Sequence, residues 1–218
     1  MNISLEKSKE VMIENQLRPN KIKDIKILNV FKSVSKENFI SESYLNICYS
    51  DQDIKVKDTR GYLKNLHLAQ ILHSAQIKLN EKVLHIGGLT GYLSVMISRL
   101  CKEIYVTDND PDCIKDISKH FDDLKISNGQ VYKEKFSIGL LSKKPFDVII
   151  IDCPQYEINL ELLEQINNHG RIIYIEKIND ELSKAYRMTK INDTYNKDFL
   201  FDVFSNFYLS KKKEVFNF

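Results

Sequence analysis

The chain has 218 residues, 43% of them hydrophobic and 28% charged, which suits one α/β domain with a modest extra segment and is too short for two full domains. Its 32 basic and 30 acidic side chains give a net charge of +2, which predicts neither a nucleic-acid nor a membrane partner. The N-terminus mixes acids with bases, apolar runs such as Val148–Ile151 are short, and the four cysteines are widely scattered. These features predict a cytoplasmic protein with no signal peptide, membrane span or metal site.

Three helical patterns fill the first eighty residues. Residues 4–16 can form a helix that stops at Arg18-Pro19-Asn20. Asp24 is expected to cap a second helix, and a third pattern covers residues 64–77. We therefore expect an all-helical N-terminal segment, residues 1–80, packed on the rest of the chain.

Strand-like and helical runs then alternate. The strands are expected at 82–87, 103–107, 129–133, 146–151 and 171–175, and the helices at 90–101, 112–121 and 157–168. Short apolar strands separated by helices favour a parallel sheet covered on both faces. Two further strand-like runs, 182–191 and 199–209, are separated by a polar turn. The prediction is an α/β unit over residues 81–218, a Rossmann-like, doubly wound, mostly parallel seven-stranded sheet with a C-terminal antiparallel hairpin. This hairpin is typical of methyltransferases that use S-adenosylmethionine.

The stretch VLHIGGLTGY, residues 83–92, combines a strand, a glycine-rich turn and the start of a helix. Gly87 allows the sharp turn, and Gly91 allows the helix to pack close to the strand and a ligand. Asp108 ends the next predicted strand, 108 − 87 = 21 residues after Gly87, close to the offset of an acid that binds ribose hydroxyls. No third glycine follows at the dinucleotide spacing, so a nucleoside site is favoured over an NAD site.

The chain resembles the protein-L-isoaspartate O-methyltransferase family nearly from end to end. The similar segments are MIENQLRPNKIKDIKILNVFKSVSKENFI, YSDQDIKV, VLHIGGLTGYLSVMISRL, PFDVIIID, LLEQINNHGRIIYI and FLFDVFSNFYL. The resemblance implies a monomeric enzyme that transfers a methyl group from S-adenosylmethionine to carboxylates of damaged aspartyl residues in a protein or peptide substrate. The cofactor-binding positions that it implies here are His85, Gly87, Gly88, Gly91, Tyr92 and Asp108.

Four departures from the family pattern fall on functional positions. His85 stands where the family has an acid, and Leu89 stands in place of the central glycine of the turn. Lys135 and Phe136 stand in place of the acid and the glycine that hold the adenine end. Leu63 stands in place of the serine of the substrate loop. We expect the bulk of Leu89 to crowd either the turn or the cofactor. No catalytic residue is assigned, because the matching position holds Leu63, although Thr59 offers a nearby hydroxyl. In its substrate loop the chain is most similar to a divergent branch of the family that likewise lacks the serine.

Two alternatives remain open from the residues. A non-catalytic protein that keeps the fold as a binding or regulatory module would account for all four departures. An amino-methyltransferase would use the segment DCPQY, Asp152 to Tyr156, as a proline-containing turn. The lysine run at 211–213 is interpreted as solvated, since no aromatic residues interleave it.

Overall fold

The computed structural model describes residues 4–209. Its α-helices are α1 (Leu5–Met12, continued by a π-helical turn, Ile13–Leu17), α2 (Ile25–Ser33), α3 (Asn65–Ala75), α4 (Tyr92–Ser98) and α5 (Pro111–Asp123). Its strands are β1 (Ile54–Lys57), β2 (Arg60–Tyr62), β3 (Lys82–Ile86), β4 (Glu103–Asp108), β5 (Gly129–Lys133), β6 (Phe146–Gln155), β7 (Ile166–Lys177), β8 (Leu182–Ile191) and β9 (Thr194–Phe204). Short 3-10 helices span Lys36–Phe39, Glu42–Ile47, Leu141–Lys143 and Leu160–Gln165.

Seven strands form the main sheet in the order β5-β4-β3-β6-β7-β8-β9. The first five in this order run parallel, whereas β8 and β9 pair antiparallel to their neighbours. Val83 of β3 lies opposite Ile104 of β4 on one side and Val148 of β6 on the other. The chain winds outward in both directions from β3, so the carboxyl end of β3 is the point where a sheet of this kind holds its ligand. The predicted fold class is confirmed.

Side chains alternate between two buried layers because successive residues of a strand point to opposite faces. In β3, Val83 belongs to the layer that includes buried residues of all five α-helices, which we call the helix face. Leu84 and Ile86 belong to the opposite layer, which includes Leu162 and Leu163 of the 3-10 helix before β7.

The prediction of a helix at 157–168 is wrong. Residues Leu160–Gln165 form a 3-10 helix, and β7 begins directly afterwards at Ile166, which pairs with Phe146 of β6. Asn159 caps this short helix by accepting a hydrogen bond from the Glu161 amide at 3.1 Å. Ile166 would continue the helical pattern of Leu162 and Leu163, but it pairs with β6 instead, so the helix cannot extend beyond Gln165.

The N-terminal segment follows the predicted helices with one correction. Asp24 does cap α2, since its side chain accepts from the Lys26 amide at 2.8 Å. The segment is not all-helical, because β1 and β2 form an antiparallel hairpin in which Ile54 lies opposite Tyr62. Asp58 turns this hairpin with a positive φ of 49°, a conformation that aspartate tolerates better than most residues. The hairpin carries Thr59, Arg60 and Gly61 toward the main sheet.

The C-terminal hairpin has a shorter turn than predicted. Ile191 pairs with Thr194, so only Asn192 and Asp193 lie between the strands, and β9 begins before the predicted residue 199. β9 also ends earlier, at Phe204, which leaves residues 205–209 outside the sheet. The lysine run at 211–213 lies outside the described residues. None of the helices between residues 4 and 209 combines the length and apolar character that a membrane crossing requires.

Candidate functional site

The glycine turn joins β3 to α4 at the carboxyl end of the sheet. Gly87 and Gly91 have positive φ angles of 85° and 98°, which glycine adopts without steric strain. The amides of Gly87 and Gly88 donate to the carbonyl oxygen of Thr107 on β4, at 2.8 and 3.4 Å. A Cβ atom at Gly88 would lie 2.5 Å from Cγ1 of Val106, so this position also needs glycine. The backbone is therefore the tight, glycine-dependent bend that the sequence predicted.

Leu89 keeps the form of the turn in spite of its side chain. Its φ of 52° lies in the left-handed region, which costs a residue with a Cβ atom roughly 1–2 kcal/mol. The side chain is buried in the helix-face layer. The expectation that Leu89 crowds the turn is therefore wrong, because the turn forms and the leucine side chain packs in the core. The effect of Leu89 on the cofactor stays a prediction.

Asp108 ends β4 beside the turn and is fully buried. Its Oδ2 accepts from Nη1 of Arg60 at 2.8 Å and from the Leu89 amide at 3.2 Å. Its Oδ1 accepts from Nη2 of Arg60 at 3.1 Å and from the Asp110 amide at 3.0 Å. A carboxylate has about four acceptor positions, so these four donors satisfy Asp108 completely.

Arg60, from β2, is the residue that sequence reasoning missed. Burial lowers its pKa, but the hydrogen bonds and charge of Asp108 outweigh burial and raise that pKa above its ordinary value, so the guanidinium stays charged. Its Cζ also lies 4.9 Å from the centre of the Phe136 ring, within the range of a cation–π contact. Arg60 precedes Asp108 by 48 residues, and no local pattern in the sequence signals such a pair.

Two apolar side chains lie near Gly87 on the face opposite the α-helices. A Cβ atom built on Gly87 would be 3.1 Å from Cδ1 of Leu209 and 4.0 Å from Cε1 of Phe136. Leu209 is 6% exposed and belongs to the same buried layer as Leu84 and Ile86. Phe136 thus points into the crevice from a position where the family pattern has glycine, whereas Lys135 is exposed.

His85 lies beneath the turn in a buried chain of hydrogen bonds. Its Nδ1 is 2.8 Å from Oγ of Ser94 on α4, and its Nε2 is 3.2 Å from Oδ1 of Asp152 on β6. All three side chains are at most 4% exposed. Position 85 thus holds an imidazole, and a buried carboxylate, that of Asp152 on the neighbouring strand, lies directly beside it.

Tyr92 packs against side chains of the N-terminal segment. Its ring packs against Phe39 and Tyr62, with centroids 5.5 and 5.6 Å away, and Lys36 Nζ lies 5.6 Å from its centre. Its hydroxyl has no hydrogen-bond partner among the described residues. The structure thus brings Gly87, Gly88, Gly91 and Asp108 together at the crevice and places His85 and Tyr92 behind it.

The substrate-loop and DCPQY predictions can be compared with the structure directly. Leu63 is 1% exposed within the helix-face core, and the Thr59 hydroxyl donates to the Tyr208 carbonyl oxygen at 2.9 Å. The segment predicted as a turn is instead the end of β6, which continues to Gln155. Within it, Asp152 contacts His85, and the Pro154 carbonyl oxygen accepts from the Leu209 amide at 2.7 Å.

A cavity of about 440 Å3 adjoins the turn. Its walls come from the N-terminal segment, β1, the residue Thr90 of the turn, and α5. Polar and charged side chains, including Lys57, Asp116 and His120, line part of it. Within residues 4–209, no three His, Cys, Asp or Glu side chains are grouped as metal ligands would be.

Comparison with known proteins decides the family. The family model described as protein-L-isoaspartate(D-aspartate) O-methyltransferase matches residues 6–203. The chain belongs to this family. The protein-L-isoaspartate O-methyltransferase of Koribacter versatilis is 27% identical over 179 residues, which cover 82% of this chain and 80% of that one. The enzyme of the same name from Brucella anthropi is 28% identical over 170 residues, 78% of each chain.

Solved structures of the isoaspartate methyltransferase family share the fold. One protein-L-isoaspartate O-methyltransferase superposes with a TM-score of 0.80 at 18% identity, covering 95% of this chain, which spans only 66% of that longer one. The beta-aspartate methyltransferase of Plasmodium falciparum, in complex with S-adenosyl-L-homocysteine, gives a TM-score of 0.78 at 20% identity and covers 94% of this chain and 99% of that one. The predicted family is confirmed, and protein-L-isoaspartate O-methyltransferase is the activity that its description names. S-adenosyl-L-homocysteine, the product form of the predicted cofactor, is the ligand of the Plasmodium falciparum structure.

The crevice can be tested for its fit to that cofactor. The glycine turn and the acid at the end of β4 have the chemistry that a nucleoside requires. In this conformation, however, Arg60 satisfies both oxygens of Asp108, and Leu209 and Phe136 lie near Gly87. The residues therefore do not fit the cofactor unless these three side chains move.

Proposed function

We propose that this protein is an S-adenosylmethionine-dependent methyltransferase that esterifies carboxylates of isoaspartyl residues in proteins or peptides. The observation that carries the proposal is the glycine turn, which keeps its bend and its contact with Asp108 even though leucine occupies position 89. Holding a leucine in the left-handed region costs free energy. A turn that only connected β3 to α4 could avoid this cost with a different backbone conformation, so the retained bend favours a ligand-binding role.

The bound cofactor would supply an electrophilic methyl group. A carboxylate acceptor, with an ordinary pKa near 4, is already ionised at neutral pH, so the reaction needs no general base. The work of the protein is to orient the acceptor and exclude water. Leu63 has no donor for this purpose, and the nearest hydroxyl in the hairpin, that of Thr59, is bonded to Tyr208 in this conformation. No catalytic side chain is assigned.

Gly87, Gly88, Gly91 and Asp108 are the proposed cofactor residues. His85 and Tyr92 would act as supports, since His85 fixes Ser94 at the start of α4 and Tyr92 packs that helix on the N-terminal segment. The cavity of about 440 Å3 beside Thr90 has room for side chains that flank the acceptor in a peptide. The balanced charge supports the absence of a nucleic-acid partner. A cytoplasmic location and a monomeric state are further parts of the proposal, as is the packing of residues 1–80 and 81–218 as one unit.

A second candidate function is a non-catalytic binding or regulatory protein. The observation that favours it is the ion pair between Arg60 and Asp108, which engages the acid that a cofactor ribose would need. A permanent pair of this kind would make the crevice part of the core. The amino-methyltransferase alternative has no such support, since its segment continues β6 and Asp152 contacts His85.

Calorimetric titration with S-adenosylhomocysteine, followed by a methyl-transfer assay, separates the two functions. The titration compares the unaltered protein with Asp108→Asn and with Asp193→Asn, which changes an exposed acid at the tip of the β8–β9 hairpin. Binding that is lost only in Asp108→Asn, together with labelled methyl transfer to an isoaspartyl peptide but not to its aspartyl isomer, supports the enzyme. Absence of binding by all three proteins at millimolar ligand would favour the second candidate, since a permanent pair between Arg60 and Asp108 leaves no free acid for the cofactor.

A further inference from the structure

The residues that follow β9, Ser205 to Leu209, cross the carboxyl end of the sheet, and we call them the strap. Lys177, 5% exposed, holds the start of the strap by donating to the carbonyl oxygens of Ser205 and Phe207 at 3.2 and 3.4 Å. Further along, the Leu209 amide donates to the Pro154 carbonyl oxygen at the end of β6. The strap is thus bonded at both of its ends.

The middle of the strap is bonded to the β1–β2 hairpin. The Tyr208 amide donates to the Thr59 carbonyl oxygen at 2.9 Å, and the Thr59 hydroxyl donates back to the Tyr208 carbonyl oxygen at 2.9 Å. The Phe207 ring lies so close to Gly61 that a Cβ atom there would collide with it. Thr59 and Gly61 therefore contact the strap, while Arg60 between them pairs with Asp108.

This arrangement links the strap to the state of Asp108. Thr59 is hydrogen-bonded to the strap, Arg60 is paired with Asp108, and Gly61 contacts the strap. Leu209 at the end of the strap closes the space beside Gly87. Release of the strap would open that space and free the hairpin that holds Arg60 in place.

We propose that the strap is an autoinhibitory closure of the cofactor crevice, which S-adenosylmethionine must displace together with Arg60. The inference rests on the proposed function, since it supposes that the crevice binds this cofactor. Strap and cofactor compete for one place, so loosening the strap strengthens cofactor binding. The strap remains ordered when the crevice is empty and is released when the cofactor binds.

The test uses full-length variants and S-adenosylhomocysteine as the probe. Leu209→Ala removes the side chain beside Gly87, and Thr59→Val removes one bond to Tyr208 while keeping the size of the side chain. Phe204→Ala, one residue before the strap and 70% exposed, is the control. Calorimetry gives the dissociation constants, and hydrogen exchange reports the protection of the Tyr208 and Leu209 amides with and without the ligand.

We expect Leu209→Ala to bind on the order of tenfold more tightly than the unaltered protein, because the transfer free energy of a buried leucine no longer opposes the ligand. Thr59→Val should bind severalfold more tightly, Phe204→Ala should be unchanged, and saturating ligand should remove protection from both amides. Equal dissociation constants in all four proteins, with the Tyr208 and Leu209 amides still protected in the complex, would overturn the proposal that the strap is autoinhibitory. The proposed function would still stand. No heat of binding from any of the four proteins at millimolar ligand would overturn both the strap proposal and the proposed function.

Discussion

Arg60 and Asp108 are joined by two charge-assisted hydrogen bonds inside the crevice, Nη1 to Oδ2 at 2.8 Å and Nη2 to Oδ1 at 3.1 Å. Their side chains are 7% and 0% exposed. Because the pair is buried, removing either Arg60 or Asp108 leaves the charge of the other side chain without a partner. Any ligand of Asp108 must therefore replace Arg60 rather than simply add to it.

Removing Arg60 should destabilise the fold. In Arg60→Met the Asp108 carboxylate keeps only the amides of Leu89 and Asp110, so we expect a loss of about 3 kcal/mol in the free energy of unfolding. Urea denaturation measures it. The matched control is Arg187→Met, which breaks the partly exposed pair with Asp198 and should cost no more than about 1 kcal/mol. A loss at Arg60 no larger than that at Arg187 would contradict the view that the pair fixes the closed crevice.

Leu89 and Lys21 provide a matched pair for measuring the strain in the turn. Both have positive φ angles, 52° and 67°, but Leu89 is buried and Lys21 is exposed. Lys21→Gly relieves only strain and should change stability by less than about 1 kcal/mol. Leu89→Gly relieves similar strain but removes a buried side chain, so we expect a net loss of about 2–4 kcal/mol.

Urea denaturation of both variants gives these values, and calorimetry with S-adenosylhomocysteine completes the test. Because the Leu89 side chain lies in the core, its removal should leave the dissociation constant within about threefold of that of the unaltered protein. Much tighter binding by Leu89→Gly would show instead that this side chain obstructs the cofactor.

His85 and Asp152 should behave as a coupled pair. His85→Asp restores the residue type of the family pattern but places two carboxylates side by side in a buried site, which we expect to cost at least about 2 kcal/mol. Asp152→Asn in the same chain removes the repulsion and should recover at least half of that loss. A double-mutant cycle in urea measures the coupling, and additive effects of the two changes would contradict it.

The sheet was predictable from the sequence because its strands are continuous apolar runs. Val148–Ile151 is apolar at every position, as expected for a strand buried on both faces. The 157–168 region was not predictable, since a few apolar residues at helical spacing cannot show that Ile166 pairs with Phe146. The β1–β2 hairpin was missed because its strands have only four and three residues.

Part of the candidate site was predictable from the sequence, namely the glycine turn and Asp108. The glycines and Asp108 lie on consecutive strand ends, and their spacing along the chain reflects one strand–helix–strand unit. Arg60 and Leu209 lie far from the glycine turn in the sequence, and their positions in the crevice depend on packing that no local pattern encodes. Leu89 illustrates the same limit, because its sequence position indicated obstruction, whereas its backbone conformation directs the side chain into the core.

Lys36 should give the protein a distinctive dependence of stability on pH. The side chain is fully buried, its Nζ donates to Oδ1 of Asn65 at 3.0 Å, and it lies 5.8 and 5.6 Å from the ring centres of Tyr62 and Tyr92. Burial lowers the pKa of Lys36 from 10.5 to about 8. Between these two values the unfolded chain binds more protons than the folded one, so this residue makes stability rise with pH across that window.

The variant Lys36→Met isolates this contribution, because other titrating groups affect both proteins alike. Below about pH 8 the unaltered protein should carry a constant penalty relative to Lys36→Met, on the order of 3 kcal/mol from the shift in pKa. That penalty should shrink steadily as the pH rises from 8 toward 10.5. Urea denaturation of both proteins at pH 7.5, 8.5 and 9.5, as rough sampling points of this window, gives the difference directly. A difference that stays flat across these pH values would show that buried Lys36 keeps an ordinary pKa, stabilised by Asn65 and the two rings.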